Sequence, residues 1–69
     1  MSTRIDARGL SCPQPVLLAL KALSDGTESF IVEVDHETAA ENVGRACKEK
    51  GRSTKISKAD NGYTVEVSQ

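Results

Sequence analysis

The chain has no tryptophan and only two aromatic residues, Phe30 and Tyr63. A platform of rings for stacking unpaired bases is therefore not expected, nor is direct nucleic-acid binding. Charge of neither sign is in excess: nine Lys and Arg against ten Asp and Glu leave a formal charge of −1. That balance supplies no global attraction to nucleic acid or to an anionic membrane. No apolar run approaches the roughly 20 residues that cross a bilayer. Met1-Ser2-Thr3-Arg4 lacks the apolar region of a signal peptide, so a cytoplasmic location is expected and no membrane partner. Cysteine is scarce. Cys12 and Cys47 lie far apart, whereas small secreted domains carry more cysteines at closer spacing, so both read as reduced thiols. Two cysteines and the single His36 do not form a metal-binding pattern. Linkers, internal repeats and low-complexity segments are also missing. Sixty-nine residues make one domain, residues 1–69, with a small core, since such a chain buries only about 60% of its unfolded surface.

What is present alternates between the two hydrophobic periods. Thr3 to Ala7 reads as a strand with Ile5 and Ala7 on one face. Pro13 to Leu23 reads as a helix whose buried stripe is Val16, Ala19, Leu20 and Leu23, with Leu17 flanking. Leu18 falls opposite, beside Gln14, Lys21 and Ala22. It is either a stray exposed leucine or, with Lys21, part of a docking patch. On this assignment Leu20→Ala would cost roughly 2–5 kcal/mol and Leu18→Ala little. Gly26 ends the helix. Glu28 to Val34 reads as a strand pointing Phe30, Val32 and Val34 one way. Thr38 and Glu41 form a capping box for a second helix over 38–50, with Ala39, Ala40, Val43, Ala46 and Cys47 on its buried stripe. Cys47 thus reads as a small core residue. Gly44 weakens this helix by roughly 1 kcal/mol. Ser53 to Ala59 is a polar strand around Ile56. Asp60-Asn61-Gly62 is a hairpin turn leading to Tyr63 to Val67, the last strand, which alternates Tyr63, Val65 and Val67 against Thr64 and Glu66.

The order strand-helix-strand-helix-strand-strand predicts an α+β two-layer sandwich with a mixed four-stranded sheet and both helices on one face. The first two strands are parallel through a right-handed crossover, and the last two are antiparallel. Both ends of the parallel pair then lie on one edge, which brings Asp35 and His36 to the same rim as Cys12. A histidine there can act as a base or counter-ion, or simply be a solvated turn residue; the second reading is favoured. Charge is segregated along the chain. Asp25 to Glu41 is acidic, and Arg45 to Lys58 is basic except for Glu49. Such runs mostly form solvated faces, although a dipolar surface can orient a partner.

The chemistry concentrates in Gly9-Leu10-Ser11-Cys12-Pro13-Gln14-Pro15. Proline is tolerated in a first helical turn, so Cys12 reads as the N-cap, Pro13 as N1, Gln14 as N2 and Pro15 as N3. Unpaired amides and the helix dipole favour a thiolate there. The prolines remove two donors and stiffen the turn. An exposed thiol with a pKa below the usual value of about 8.5 is expected.

The stretch Asp6-Ala7-Arg8-Gly9-Leu10-Ser11-Cys12-Pro13-Gln14-Pro15-Val16 resembles the signature of the TusA/SirA/YedF family of small sulfur-carrier proteins. That motif is an aspartate, a Gly-Leu pair and Cys-Pro-x-Pro opening a helix. Residues 34–43 look more like the YedF-type branch than the tRNA-thiolation branch. Ser11 stands where tRNA-thiolation members typically have arginine, and Gln14 where many have glutamate. The resemblance implies sheet order 1-2-4-3 and a persulfide carried on Cys12, supported by Gly9, Leu10, Pro13, Gln14 and Pro15. Sulfur would come from a donor such as a cysteine desulfurase or rhodanese and pass to an acceptor protein. No bound cofactor is implied, and the domain would act with partner enzymes rather than alone. The alternative is a thiol redox or regulatory interaction module using Cys12 without sulfur transfer; the lack of a Cys-x-x-Cys pair argues against redox chemistry.

Overall fold

The structure is a computed structural model that describes residues 3–10 and 13–69. Its elements are β1 (Thr3–Asp6), α1 (Gln14–Ser24), β2 (Phe30–Val34), α2 (Glu37–Glu49), β3 (Ser53–Ala59) and β4 (Gly62–Ser68). The strands form one mixed sheet in the order β1-β2-β4-β3, with β1 parallel to β2 and the other pairs antiparallel. Both helices cover one face. This is the expected α+β sandwich.

The alternation in the strands sets which face is covered. Phe30, Val32 and Val34 from β2 and Val65 and Val67 from β4 are fully buried. They meet Ala7, Ala19, Ala40, Val43 and Cys47 in a single core. Both helices close with the same pair of backbone hydrogen bonds, Gly26 to Leu23 and Thr27 to Ala22 in α1, Gly51 to Lys48 and Arg52 to Cys47 in α2. These satisfy carbonyls that a helix end otherwise leaves unpaired. The Arg52 guanidinium then donates to the carbonyls of Thr27 and Glu28, tying the segment after α2 to the segment before β2. One member of the basic run is therefore a structural strut.

The buried stripe of α1 differs from the one expected. Pro15, Ala19 and Ala22 are buried, Val16, Leu18 and Leu23 pack on the core from the flanks, and Leu17 is 57% exposed. The stripe is rotated by roughly 80° from the leucine-centred one. Alanine and proline occupy its middle, and the larger side chains fill the flanks. Leu18 is thus half-buried, not the exposed residue, and Leu20, also half-buried, lines a surface depression with Leu23, Ser24, Lys50 and Arg52 rather than packing on the core. Leu18→Ala is accordingly expected to cost about 1–2 kcal/mol, the fraction of a full leucine cavity that half-burial allows. Leu17→Ala should stay within about 0.5 kcal/mol of the parent. Urea midpoints of the two variants check this, and equal midpoints would refute it.

α2 begins at Glu37, earlier than the Thr38 capping box predicts. His36 is the N-cap, in an extended conformation, and its side chain makes no capping hydrogen bond. Ala40 N–H closes the first turn on the His36 carbonyl. Glu37 in that turn complements the helix dipole. The buried stripe is Ala40, Val43, Gly44 and Cys47. Gly44 faces β3, where an added Cβ would meet the Ile56 side chain at 3.5 Å and the Thr54 hydroxyl at 3.7 Å, both ordinary contacts. Gly44→Ala should therefore stabilise the domain by about 0.5–1 kcal/mol through a stiffer unfolded chain and better helix propensity. A rise in the thermal midpoint would show it, and a fall would mean that β3 is packed too tightly to yield.

β3 is an open edge strand. Lys55 and Lys58 are exposed along it, which discourages pairing with another chain. The β3–β4 hairpin is present, but Ala59 pairs with Gly62, so the connecting residues are Asp60 and Asn61. Neither has a positive φ. Gly62 is the first residue of β4, not a central turn residue.

Candidate functional site

The parallel pairing of β1 and β2 brings their C-terminal ends to one edge of the sheet. Ala7 N–H extends the pairing by one bond, to the Glu33 carbonyl at 2.8 Å. Beyond it the chain turns outward under the control of two carboxylates. Asp6 accepts from the Arg8 backbone N–H at 3.2 Å and from the Arg8 guanidinium at 3.0 and 3.3 Å. These bonds hold the Asp6 carboxyl below the usual carboxylate range. Asp35, directly after β2, accepts from the Gly9 N–H. Gly9 has φ +79°, a left-handed conformation that glycine adopts without penalty. Two successive amides are thus taken by side chains from the ends of two neighbouring strands.

Leu10 follows, exposed. Ser11 and Cys12 lie outside the described residues, but the expectation that Cys12 is the N-cap is overturned by the residue that follows them. The described chain shows that Pro13 takes that role, with φ −101° and ψ 21°. The expected positions are therefore one residue off: Gln14 is N1 and Pro15 is N2. Pro13 precedes the first residue with helical backbone, and its carbonyl accepts the Leu17 N–H at 3.0 Å. The prolines at N-cap and N2 have no amide hydrogen. The backbone donors that remain in this first turn are those of Gln14 and Val16. Pro13 and Gln14 are exposed, and Pro15 is buried, so the second proline anchors the helix start in the core.

An open depression of about 360 Å³ separates the Gly9–Leu10 segment from the start of α2. Asp35, His36, Thr38, Ala39 and Asn42 line its other side. Of the rim residues expected from the sequence, Gly9, Leu10, Asp35 and His36 are brought together here. Lys21 is exposed on the outer face of α1. Leu18 is not beside it in solvent; Leu17 is, giving an exposed stripe of Gln14, Leu17 and Lys21. The sequence reading missed this role of Leu17 because both leucines suit a helix and only the packing tells them apart. It also missed the Asp6–Arg8 pair, although the i, i+2 spacing of Asp and a following backbone amide is a recognised turn pattern.

Cys47 is fully buried. Burial pushes its thiol pKa up, against a smaller opposing effect of the Arg52 charge. At neutral pH it is a protonated core side chain, not a nucleophile. Among the described residues no three of His, Cys, Asp and Glu are grouped as a metal ion would require.

Residues 3–69 match the family described as Sulfurtransferase TusA. Among solved structures, a SirA-like protein from Desulfitobacterium hafniense is similar at 32% identity with a TM-score of 0.87, over 94% of this chain and 93% of that one. No curated protein matches.

Proposed function

This chain belongs to the TusA sulfurtransferase family of sulfur carriers, and on that premise we propose that it accepts sulfane sulfur as a persulfide on Cys12 and passes it to an acceptor protein. The observation that carries this reading is the bracketing of the Cys12 segment. Asp35 pins Gly9 on one side, and Pro13 opens α1 on the other. Gly9 and Pro13, the described residues on either side of Cys12, thus stand at the sheet edge where two strands end and at the start of a helix. In the loading step the Cys12 thiolate attacks the terminal sulfur of a donor persulfide. A new S–S bond forms on Cys12 and the donor cysteine leaves as its thiolate, with no net oxidation. Delivery is the same exchange in the opposite sense. The donor class is a cysteine desulfurase or a rhodanese. The Gln14, Leu17 and Lys21 stripe and the rim at Asp35 and His36 are the surfaces offered to such partners. Residues 34–43 favour the YedF-type branch.

Among the described residues no helix is long and apolar enough to cross a membrane. We place the carrier in the cytoplasm, where thiols stay reduced. A redox-module reading needs a resolving thiol, and Cys47 is buried in the core. Incubation with a cysteine desulfurase and cysteine should add the mass of one sulfur atom, removable by reductant. No gain with any desulfurase or rhodanese donor would overturn the reading.

A further inference from the structure

We propose that Asp35 is a positioning residue for the Cys12 sulfur, acting through its hydrogen bond to the Gly9 N–H. The inference rests on the carrier reading above. It starts from a bond that crosses from the end of β2 to the loop that follows β1. Only Leu10, Ser11 and Cys12 separate Gly9 from Pro13. Four Cα-to-Cα steps span at most about 14 Å, so the described ends, Gly9 and Pro13, bound the reach of the chain that joins them. The Pro13 end is fixed by its carbonyl bond to Leu17 and by the buried Pro15. At the Gly9 end Arg8, Gly9 and Leu10 are all exposed. Among the described residues, it is held by the Asp35 carboxylate together with the Asp6 turn at Arg8.

The geometry favours a positioning role over a general-base role for Asp35. Its Oδ2 already accepts from a backbone amide. The Arg8 guanidinium is held ionised chiefly by its hydrogen bond to Asp6 and the Asp6 charge, with the Glu33 and then the Asp35 charge adding less. Sulfur exchange needs the two reacting sulfurs aligned at near-contact, and a displacement of about 1 Å can slow such a step by about 10²-fold. A carrier that presents its sulfur on a short exposed segment therefore depends on both anchors. Nearby His36 makes no side-chain capping bond and is not needed for this role.

The test compares Asp35→Asn, which keeps an acceptor oxygen in the same place, with Asp35→Ala, which removes it. Both lack the charge, so their difference isolates the hydrogen bond. Sulfur loading from a cysteine desulfurase should stay within about threefold of wild type in Asp35→Asn and fall about tenfold or more in Asp35→Ala. Hydrogen exchange at the Gly9 amide should accelerate in Asp35→Ala and not in Asp35→Asn. Equal loading rates in the two variants, or a Gly9 amide that exchanges as slowly in Asp35→Ala as in wild type, would overturn the proposal. Iodoacetamide labelling of Cys12 separates this from the carrier reading. If wild type takes up no sulfur, the carrier reading fails, and labelling decides the clamp. Rates differing by about threefold or more between the variants support it, and equal rates overturn it.

Discussion

Cys12→Ser is expected to take up no sulfur from a cysteine desulfurase, while Cys47→Ala is loaded to one sulfur per chain. The contrast is between the two thiols of one small domain. Cys47 lies on the inner face of α2 with no solvent exposure. Its thiolate is disfavoured by burial, and a donor could reach it only by opening the core. Cys12 is bonded to Pro13, the exposed N-cap of α1, and a helix N-terminus stabilises negative charge by about 0.3–1 kcal/mol or more. A serine in its place offers an alkoxide that is not formed at neutral pH and has no persulfide chemistry. The loss should therefore be complete rather than graded. Alkylation should show the same order, with Cys12 labelled first in the folded chain and Cys47 only on denaturation. Intact mass after incubation reads the first result, and peptide mapping after brief iodoacetamide treatment reads the second. Loading that persists in Cys12→Ser would transfer the sulfur to another residue and remove the basis of the proposed function.

Gly62→Ala should be the most damaging conservative change outside the core. A Cβ at this position would lie 2.2 Å from the Val34 carbonyl oxygen and 3.2 Å from the Asp35 Cα. Both atoms are backbone, so relief requires β4 to move away from the end of β2. The φ of +152° adds strain for any residue with a side chain. Overpacking and strain of this kind cost together about 3 kcal/mol or more. A domain of this length has a total stability of about 3–10 kcal/mol, so the variant should be largely unfolded or melt roughly 12–24 °C lower. Loading of any folded fraction should also slow, because the displaced residue is Asp35. Thermal melting followed by circular dichroism measures the shift. A midpoint within a few degrees of wild type would show that the hairpin tip can swing aside freely.

Much of the candidate site is legible in a short run of sequence. Glycine and leucine before the cysteine, and prolines at alternate positions after it, mark a turn into a helix whatever the rest of the chain does. The position of that turn shifted by one residue because Pro13 carries non-helical dihedrals, with a φ wider than the value near −65° that the proline ring prefers, which local preference does not anticipate. Asp35 was legible as a rim residue on the same edge as Cys12, but its partner was not. Its partner, the Gly9 amide, lies in another segment of the chain and meets it through the parallel pairing of β1 and β2.

The sequence by itself determined the order of elements, the inward faces of β2 and β4, the buried stripe of α2 and the burial of Cys47. These follow from local periodicity, with a period of two in the strands and near 3.6 in the helix, which one face buried against water enforces everywhere. Only the tertiary structure decided which side of α1 faces inward. Leucines and alanines both satisfy its helical period, and the closeness of the neighbouring elements selects the alanines for the centre. Only the tertiary structure decided the role of Gly62 as well. In sequence it belongs to a turn signal; in the fold it makes room for the carbonyl of Val34. The pairing of Asp35 with Gly9 has the same origin. Contacts between segments distant in the chain depend on register and approach distance, and these are set when the sheet closes.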